Sequence, residues 1–157
     1  MKNTTLLFLI KKDGQKVIEV CLAMKKRGFG MGRYNGVGGK VEDGESIEDA
    51  VLREAEEEIG VVPSKIIKCG ELAFSFVQKE EWNQLVHVYL TDSWQGDVTE
   101  SEEMSPSWFK VEDIPYKDMW PDDIFWLPKV LEGHHVNASF SFGEGDVILS
   151  QEVTVVE

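Results

Sequence analysis

The segment spanning residues 39–60 constrains the fold of this chain more than any other. Glu54, Glu57 and Glu58 follow the i, i+3, i+4 spacing that places side chains on one face of an α-helix. A stripe of apolar residues runs beside them at the same helical period. The segment therefore predicts an amphipathic helix that buries its apolar stripe and displays a row of acids next to it.

This row of acids is a candidate metal site. Like charges this close repel one another, so the arrangement costs stability unless a cation lies among them. Carboxylate oxygens with an open coordination sphere suit Mg²⁺ or Mn²⁺, which commonly bind a few carboxylates together with substrate phosphates. An isolated acidic row is most often only a solvated helix face. The surrounding residues are therefore needed to distinguish a metal site from a solvated face.

The residues at both ends of the segment predict a loop–helix–loop. Ser46 can cap the first turn, with Asp49 three residues on as its capping-box partner. Gly60 is suited to end the helix in a left-handed conformation. The glycines within residues 36–39 mark backbone that turns tightly or lies close to another group.

Charge order along the chain supports a phosphate site. Residues 24–41 contain five bases and no acid, whereas residues 42–58 contain nine acids and one base, Arg53. A basic glycine-rich loop leading into an acidic helix suits a polyphosphate with bound metal, with Lys25 and its neighbours meeting phosphate oxygens. The alternative is that these are solvated loop charges. We expect Arg53 to pair with Glu45 or a helix carboxylate and to fix its orientation.

Composition excludes several classes of protein. A chain of 157 residues with 42% hydrophobic residues, five Trp and eight Phe predicts one folded domain, 1–157. The net charge of −13 disfavours a nucleic-acid polymer or an anionic membrane as partner and favours a small anion bound at a local basic site. Two cysteines without metal spacing favour a reducing, cytoplasmic location. The apolar run 6–10 is too short for a signal peptide or a membrane span.

Strand and helix patterns alternate along the chain without internal repeats, which predicts an α/β (α+β) fold. The predicted strands are 4–10, 17–24, 65–77, 85–92, 108–111, 137–142 and 147–155, and a second helix is predicted at 122–131. The first two and the last two strands are expected to form hairpins.

The acidic segment resembles the Nudix box, G-x5-E-x7-R-E-U-x-E-E-x-G-U, where U is bulky and apolar. The spacing here is Gly39, five residues, Glu45, seven residues and then Arg53-Glu-Ala-Glu-Glu-Glu-Ile-Gly60. Ala55 stands where the family prefers a larger aliphatic residue. The resemblance implies an α/β/α sandwich with a mixed β-sheet, a metal-dependent hydrolase of a nucleoside diphosphate-linked substrate, and a small-molecule substrate.

The same resemblance implies a metal site and a mechanism. The metal ligands would be Glu54, Glu57, Glu58 and the carbonyl of Gly39. The bound ion would neutralise phosphate charge and activate the attacking water. Glu58 is our first choice for the general base and Glu103, from outside the helix, our second.

Segments outside the box resemble the MutT-homolog branch of the family, which hydrolyses oxidised purine nucleoside triphosphates such as 8-oxo-dGTP and 2-hydroxy-dATP to monophosphate and pyrophosphate. They are 24–30, 33–36, 103–104, 108–109 and 117–123. This resemblance implies that the base edge is bound by Asn35, Asp122 and Asp123. The walls of the base pocket would be Phe29, Phe74, Met104 and Trp120. Thr5 would lie near the sugar or the base. Tyr34 and Gln84 depart from this branch's pattern.

The predicted base site has its own chemistry. Two adjacent aspartates in a partly buried site cannot both ionise cheaply, so one of Asp122 and Asp123 is expected to hold a proton. Moving that proton between them would let one pocket accept both oxidised guanine and oxidised adenine. Plainer roles exist: either aspartate could cap the following helix, Trp120 could belong to the core, and Asn35 with the next glycine could form a turn.

Two other functions stay open at this point. One is a Nudix hydrolase of dinucleotide polyphosphates, ADP-ribose or capped RNA. The other is a catalytically silent binding module, which would be expected to lack some box carboxylates, whereas this chain retains all of them. We expect a monomer.

Overall fold

The computed structural model describes residues 1–156. Its strands are β1 (Lys2–Asp13), β2 (Lys16–Lys25), β3 (Tyr34–Asn35), β4 (Val62–Pro63), β5 (Ile67–Phe76), β6 (Gln84–Thr91), β7 (Trp94–Gln95), β8 (Met104–Lys110), β9 (His135–Phe142) and β10 (Ile148–Val156). Its helices are α1 (Ile47–Ile59) and α2 (Asp123–Leu131).

Eight strands form one mixed sheet in the order β10-β9-β5-β6-β1-β2-β3, with β8 paired to the other edge of β2. The pairs β1–β6 and β5–β9 are parallel, and the remaining pairs are antiparallel. The strands β4 and β7 form a separate two-stranded sheet. The predicted mixed sheet is therefore confirmed.

The two helices cover opposite faces of the sheet, as the alternation along β1 shows. Leu6 and Phe8 belong to the same buried cluster as Trp126 of α2. Leu7 and Leu9 belong to a second cluster that includes the apolar stripe of α1. A central strand that is buried on both faces reads as a continuous apolar run. This arrangement confirms the predicted α/β/α sandwich.

A glycine-rich loop is wedged against β1 at the point where β1 and β2 diverge. The two strands pair from Ile10 to Asp13, and farther along β1 its backbone bonds to the loop instead, with Leu7 N donating to Val37 O at 2.7 Å. A Cβ atom at Gly38 would lie 1.9 Å from Thr5 O. Only glycine allows this approach, and the wedge places the loop beside the acidic helix.

Most predicted elements are confirmed to within three residues at each end. The strand predicted at 108–111 is longer and begins at Met104. The short strands β3, β4 and β7 were not predicted, because two residues carry too little pattern to identify a strand. Across residues 1–156, neither helix has the length and apolar character needed to cross a membrane.

Candidate functional site

Helix α1 begins and ends where its capping residues predict. Ser46 Oγ accepts a hydrogen bond from Asp49 N at 3.1 Å. Gly60 adopts the left-handed conformation, with φ of 73°, and its N–H donates to Glu56 O. Ala55 is fully buried against the sheet, so the smaller side chain lies at the packed face of the helix. The caps fix the register of the acidic row relative to the glycine loop.

Arg53 ties the acids of this region together. Its Nε and Nη2 atoms donate to both carboxylate oxygens of Glu45, at 2.7 and 3.0 Å. Its Nη1 atom donates to Glu54 at 2.9 Å and to Glu57 at 3.2 Å. A further bond reaches Lys40 O at 3.2 Å. The hydrogen bonds from Arg53 lower the pKa of Glu45, and the structure contains both kinds of predicted pairing.

Glu58 is the one buried acid of the row. Its Oε1 atom accepts from Gly38 N at 2.9 Å, and its Oε2 atom is buried without a hydrogen-bond partner. Burial, reinforced by the neighbouring Glu54, raises the pKa of Glu58 to about 8. A buried carboxylate oxygen without a partner indicates that a cation or proton belongs beside it.

The four predicted metal ligands lie around the glycine loop. Glu54 packs so closely on Gly39 that a Cβ atom there would lie 2.7 Å from Glu54 Oε1. The Gly39 carbonyl accepts from Thr5 N at 2.9 Å and, through a longer contact of 3.5 Å, from Thr5 Oγ1. The Glu57 side chain is 59% exposed, and its carboxylate is bonded to Arg53. These hard oxygen donors fit Mg²⁺ or Mn²⁺.

The acids do not form a ready-made chelate, because Arg53 bonds to both Glu54 and Glu57. No group of three or more His, Cys, Asp or Glu side chains within residues 1–156 has metal-binding geometry as it stands. Metal binding would require Glu57 to turn away from Arg53. The ligand roles therefore stay predictions.

A cavity of about 340 Å³ opens on the other side of the glycine loop. All nine residues predicted to bind substrate line it: Thr5, Lys25, Phe29, Asn35, Phe74, Met104, Trp120, Asp122 and Asp123. The backbones of Gly38 and Gly39 also line it, so the cavity reaches the loop that contacts Glu58 and Glu54 of the acidic helix. Residues far apart in the sequence thus meet in one space, and their individual roles remain predictions.

The two aspartates lie deep in this cavity, with 0% of Asp122 and 2% of Asp123 exposed. Asp122 Oδ2 accepts a 2.7 Å hydrogen bond from Trp126 Nε1 and makes no capping bond to α2. Capping is therefore the wrong interpretation for Asp122. Asp122 Oδ1 and Asp123 Oδ2 are buried without partners. Unpartnered buried oxygens in a cavity are available to a ligand.

Burial raises the pKa of both aspartates. The hydrogen bond from Trp126 opposes the increase at Asp122, whereas the negative charge of Asp122 adds to it at Asp123. The pair therefore favours holding one proton between its two carboxyl groups.

Aromatic side chains form the cavity walls. The Phe29 ring lies 5.1 Å from both the Trp82 and the Trp120 ring and 6.0 Å from the Phe76 ring. Phe74 packs against Phe142 at 5.7 Å. Phe29 is 44% exposed although it contacts three rings, so it lies at the cavity mouth. The walls offer flat apolar surface to a flat ligand.

Polar side chains at the rim are held by local bonds. Asn35 lies in β3 and not in a turn, and its Oδ1 atom accepts from Gly36 N at 2.9 Å. This bond leaves the Asn35 amide N–H groups available. Gln84 accepts from Thr4 Oγ1 at 2.9 Å and lines the cavity. Tyr34, which departs from the family pattern, packs on Phe109 with ring centroids 5.1 Å apart. It is not among the residues that line the cavity.

Glu103 is not among the residues that line the cavity. Its carboxylate lies 3.5 Å from Arg27 and 3.9 Å from Lys25, on the outer side of the basic loop. Lys25 itself lines the cavity and also lowers the pKa of Glu58, although burial outweighs it. Lys25 thus lies between the two candidates for the general base.

Several lining residues were not predicted to bind substrate: Arg33, Phe76, Gln84, Trp82 and Trp126. Trp126 follows Asp122 by four residues, a helical spacing that could have indicated the contact. Arg33 was counted only as one base of the loop. No sequence signal identifies Trp82, which lies in a short 3₁₀ turn.

Comparison with known proteins agrees with this geometry. The model of the NUDIX domain matches residues 2–130. The oxidized purine nucleoside triphosphate hydrolase of Mus musculus is 46% identical over 138 residues, which cover 88% of each chain. The protein of the same name from Danio rerio is 43% identical over 96% of this chain and 94% of its own.

Among solved structures, the MutT mutator protein of Bacillus halodurans superposes with a TM-score of 0.83 at 22% identity, covering 98% of this chain and 97% of that one. This similarity concerns the fold alone. The domain match and the two relatives establish that the chain belongs to the Nudix family.

Proposed function

We propose that this protein is a divalent-metal-dependent hydrolase of oxidised purine nucleoside triphosphates, such as 8-oxo-dGTP and 2-hydroxy-dATP. Its products would be the monophosphate and pyrophosphate, which removes oxidised purines from the nucleotide pool. Two relatives that share 46% and 43% of their aligned residues with it carry the name oxidized purine nucleoside triphosphate hydrolase.

The observation that carries the proposal is the buried aspartate pair at the end of an aromatic cavity. A purine offers two flat faces for stacking, worth roughly 1–3 kcal/mol per base, and a polar edge. Asp122 and Asp123 present unpartnered oxygens to that edge. With the proton on Asp123, Asp123 donates a hydrogen bond to the base edge and Asp122 accepts one. With the proton on Asp122, these roles are exchanged, which suits a purine edge that carries its donor and acceptor in the opposite order.

The other end of the cavity suits the triphosphate. Lys25 and Lys40 line it beside the backbones of Gly38 and Gly39, next to α1. Lysine side chains provide positive charge for phosphate oxygens, and backbone close to the ligand needs glycine. A nucleotide with its base at the aspartates would therefore extend its phosphates toward the acidic helix.

The hydrolytic residues belong to α1 and the loop before it. Mg²⁺, or Mn²⁺ in its place, would neutralise phosphate charge and make water a stronger nucleophile when bound by Glu54, Glu57, Glu58 and the Gly39 carbonyl. Arg53 orients Glu54 and Glu57 through its hydrogen bonds. Glu58 is the favoured general base, because it is buried beside the loop, and Glu103 is the second candidate.

We further propose that the protein acts as a monomer in the cytoplasm. Cys21 and Cys69 are buried free thiols, which suits a reducing compartment. Size-exclusion chromatography with light scattering tests the oligomeric state, since a monomer would elute at 17.8 kDa.

The first experiment measures pyrophosphate release with Mg²⁺ from 8-oxo-dGTP, 2-hydroxy-dATP and dGTP under identical conditions. A strong preference for either oxidised nucleotide supports the proposal. ADP-ribose, a dinucleotide polyphosphate and capped RNA extend the panel, and a preference for one of them would replace the proposed substrate. Glu57→Gln, prepared in parallel, shows whether turnover arises from this protein or from a contaminant.

A further inference from the structure

Arg33 lies flat against one of the aromatic walls. Its Cζ atom is 4.2 Å from the ring centroid of Trp120, and both side chains line the cavity. A guanidinium at this distance from an indole face is held by a cation–π interaction, which is strongest for tryptophan. Neither residue is part of the acidic helix or of the phosphate end.

Asp146 holds the other side of the guanidinium. Its Oδ2 atom lies 3.0 Å from Arg33 Nη1, and each side chain is 28% exposed. Asp146 belongs to the turn between β9 and β10. The ion pair therefore joins this turn to the loop before β3, which carries Arg33. The contact between Arg33 and the Trp120 ring extends the connection to the segment before α2.

The backbone of Asp146 is strained. Its φ of 59° makes it the one residue other than glycine with positive φ among residues 1–156. Glycine adopts this conformation without penalty, as Gly145 does beside it with φ of 70°. The side chain at this position is a carboxylate that forms the ion pair with Arg33.

Arg33 is itself held in place by its backbone. Its N–H donates to Gly30 O at 3.2 Å, and its carbonyl accepts from Lys25 N at 3.0 Å. A Cβ atom at Gly30 would lie 3.3 Å from Trp120 Nε1, so the same loop also presses on the indole edge. The guanidinium thus has little freedom to leave the ring.

Arg33 also acts on the aspartate pair. Its positive charge lowers the pKa of both Asp122 and Asp123, although burial outweighs it at each. A cation that affects both carboxyl groups while stacking on Trp120 lies between the base-stacking wall and the groups proposed to read the base edge.

We propose that Arg33 is a positioning residue for base recognition: with Asp146 it fixes the plane of the Trp120 indole, and so sets the selectivity among purine nucleoside triphosphates. This inference rests on the proposed function for its substrate, but the position of the indole can be tested without any substrate. Because Arg33 acts at the base end, its loss is expected to raise KM while leaving kcat nearly unchanged.

Three substitutions test the contacts that join Asp146, Arg33 and Trp120. Asp146→Asn removes the charge, and asparagine tolerates the left-handed backbone. Arg33→Gln removes the guanidinium, and Arg33→Lys retains the charge without the flat stacking group. The matched control is Asp92→Asn, which breaks the 3.7 Å ion pair with Lys12, away from the residues that line the cavity.

The first measurement follows the indole N–H signals in ¹H–¹⁵N spectra of the free protein. The chain has five tryptophans, and Trp120→Phe assigns the signal of Trp120. We expect Arg33→Gln and Asp146→Asn to shift or broaden that signal, whereas Asp92→Asn leaves it in place. An unshifted Trp120 signal in both variants would overturn the proposal, whether or not the proposed substrate is correct.

The second measurement compares kcat and KM for 8-oxo-dGTP and dGTP. We expect Arg33→Gln to raise KM for 8-oxo-dGTP by roughly 3- to 30-fold, the range of a cation–π contact, with kcat within about two-fold of wild type. Arg33→Lys should recover part of the loss. A fall in kcat with unchanged KM would overturn the positioning role. No preference for either 8-oxo-dGTP or 2-hydroxy-dATP over dGTP in the wild-type protein would refute the proposed function, and the indole signals would still decide whether Arg33 holds Trp120.

Discussion

Two regions of this molecule concentrate carboxylates, and they treat them in opposite ways. Around Arg53, the acids Glu45 and Glu54 accept charged hydrogen bonds at 2.7–3.0 Å near the surface. Asp122 and Asp123 are instead buried in an aromatic cavity, where the pKa of each is raised. The same chemical group is therefore paired with a cation in one region and buried with a raised pKa in the other.

Glu58 shows that burial alone does not distinguish the acids of α1 from the aspartates of the cavity. It lies on α1 with the charged acids, yet it is buried and the pKa of its side chain is raised to about 8. Its unpartnered Oε2 atom and its place beside Glu54 suit a cation, whereas the aspartates suit a purine edge. Neighbouring groups, and not exposure, distinguish the two regions.

The largest effect is expected where a charged ligand is lost. Glu57→Gln should lower kcat by at least about 100-fold, since metal-assisted phosphoryl chemistry depends on the ligands that hold the ion. The melting temperature should barely change, because the side chain is 59% exposed and bonds to Arg53 at the surface. Steady-state hydrolysis and thermal unfolding measure the two quantities.

Glu56→Gln is the matched control for this variant. Glu56 is an exposed acid on the same helix and makes the same change in net charge. Full activity in Glu57→Gln, or an equal loss in Glu56→Gln, would remove Glu57 from the metal site and weaken the contrast between the two regions.

A smaller but more selective effect is expected in the buried region. Asp122→Asn should lower kcat/KM for the preferred oxidised nucleotide by roughly 10- to 100-fold, the range of one hydrogen bond to a charged group. The affinity for Mn²⁺, followed by its electron paramagnetic resonance signal, should be unchanged. Unaltered selectivity across purine triphosphates would show that Asp122 does not read the base.

The acidic region could be predicted almost completely from sequence, because its geometry is local. The spacing of Glu54, Glu57 and Glu58, the cap at Ser46 and the end at Gly60 all lie on one helix and its two turns. Helical periodicity converts such spacing directly into position. Its hydrogen bonds from Arg53 likewise join residues within 13 positions of one another.

The cavity could be predicted only in part from sequence. The resemblance to the family supplied eight of its residues and the charge order supplied Lys25, but physical reasoning from sequence could not bring Phe29, Phe74 and Trp120 together, because their contacts depend on strand order. Arg33 and Asp146 are 113 residues apart, and no local pattern joins them. The local pattern also allowed Asp122 to cap α2, and this alternative is wrong because its carboxylate binds Trp126 and makes no capping bond.

Replacing Arg53 tests whether its hydrogen bonds orient the acids around it. Arg53→Lys retains the positive charge but cannot donate to both oxygens of Glu45 while also reaching Glu54. We expect kcat to fall by about 10-fold, as for other groups that orient metal ligands, and stability by about 1 kcal/mol at most, since the pair is only partly buried. Base selectivity should not change.

The alternative for Arg53 is a purely structural role. In that case Arg53→Lys would lower the melting temperature without lowering kcat at a temperature where the variant is folded. Denaturant unfolding and kcat measured on the same preparation separate these outcomes, and the wild-type ratio of 8-oxo-dGTP to dGTP turnover serves as the internal control.

The smallest effect concerns stability as a function of pH and tests the protonated state of the buried pair directly. Because the folded-state pKa of Asp123 is raised above its ordinary 3.8, the folded protein binds this proton more tightly than the unfolded chain. The contribution of Asp123 to the free energy of unfolding is fully present below about pH 3.8, and it is lost as the pH rises through the folded-state pKa. Asparagine cannot titrate, so Asp123→Asn should lack this component of the alkaline decline.

Measuring melting temperature from pH 4 to pH 9 for the wild type and Asp123→Asn isolates the contribution of the aspartate pair as the difference between two curves, in which titrating groups away from the pair cancel. For a chain of this size each kcal/mol changes the melting temperature by roughly 2–4 °C, so the expected divergence is measurable. Asp118→Asn, an exposed aspartate in the same segment, should run parallel to the wild type. Parallel curves for Asp123→Asn would mean that the aspartate pair is as fully charged as the acids around Arg53, and the distinction between the two regions would fail.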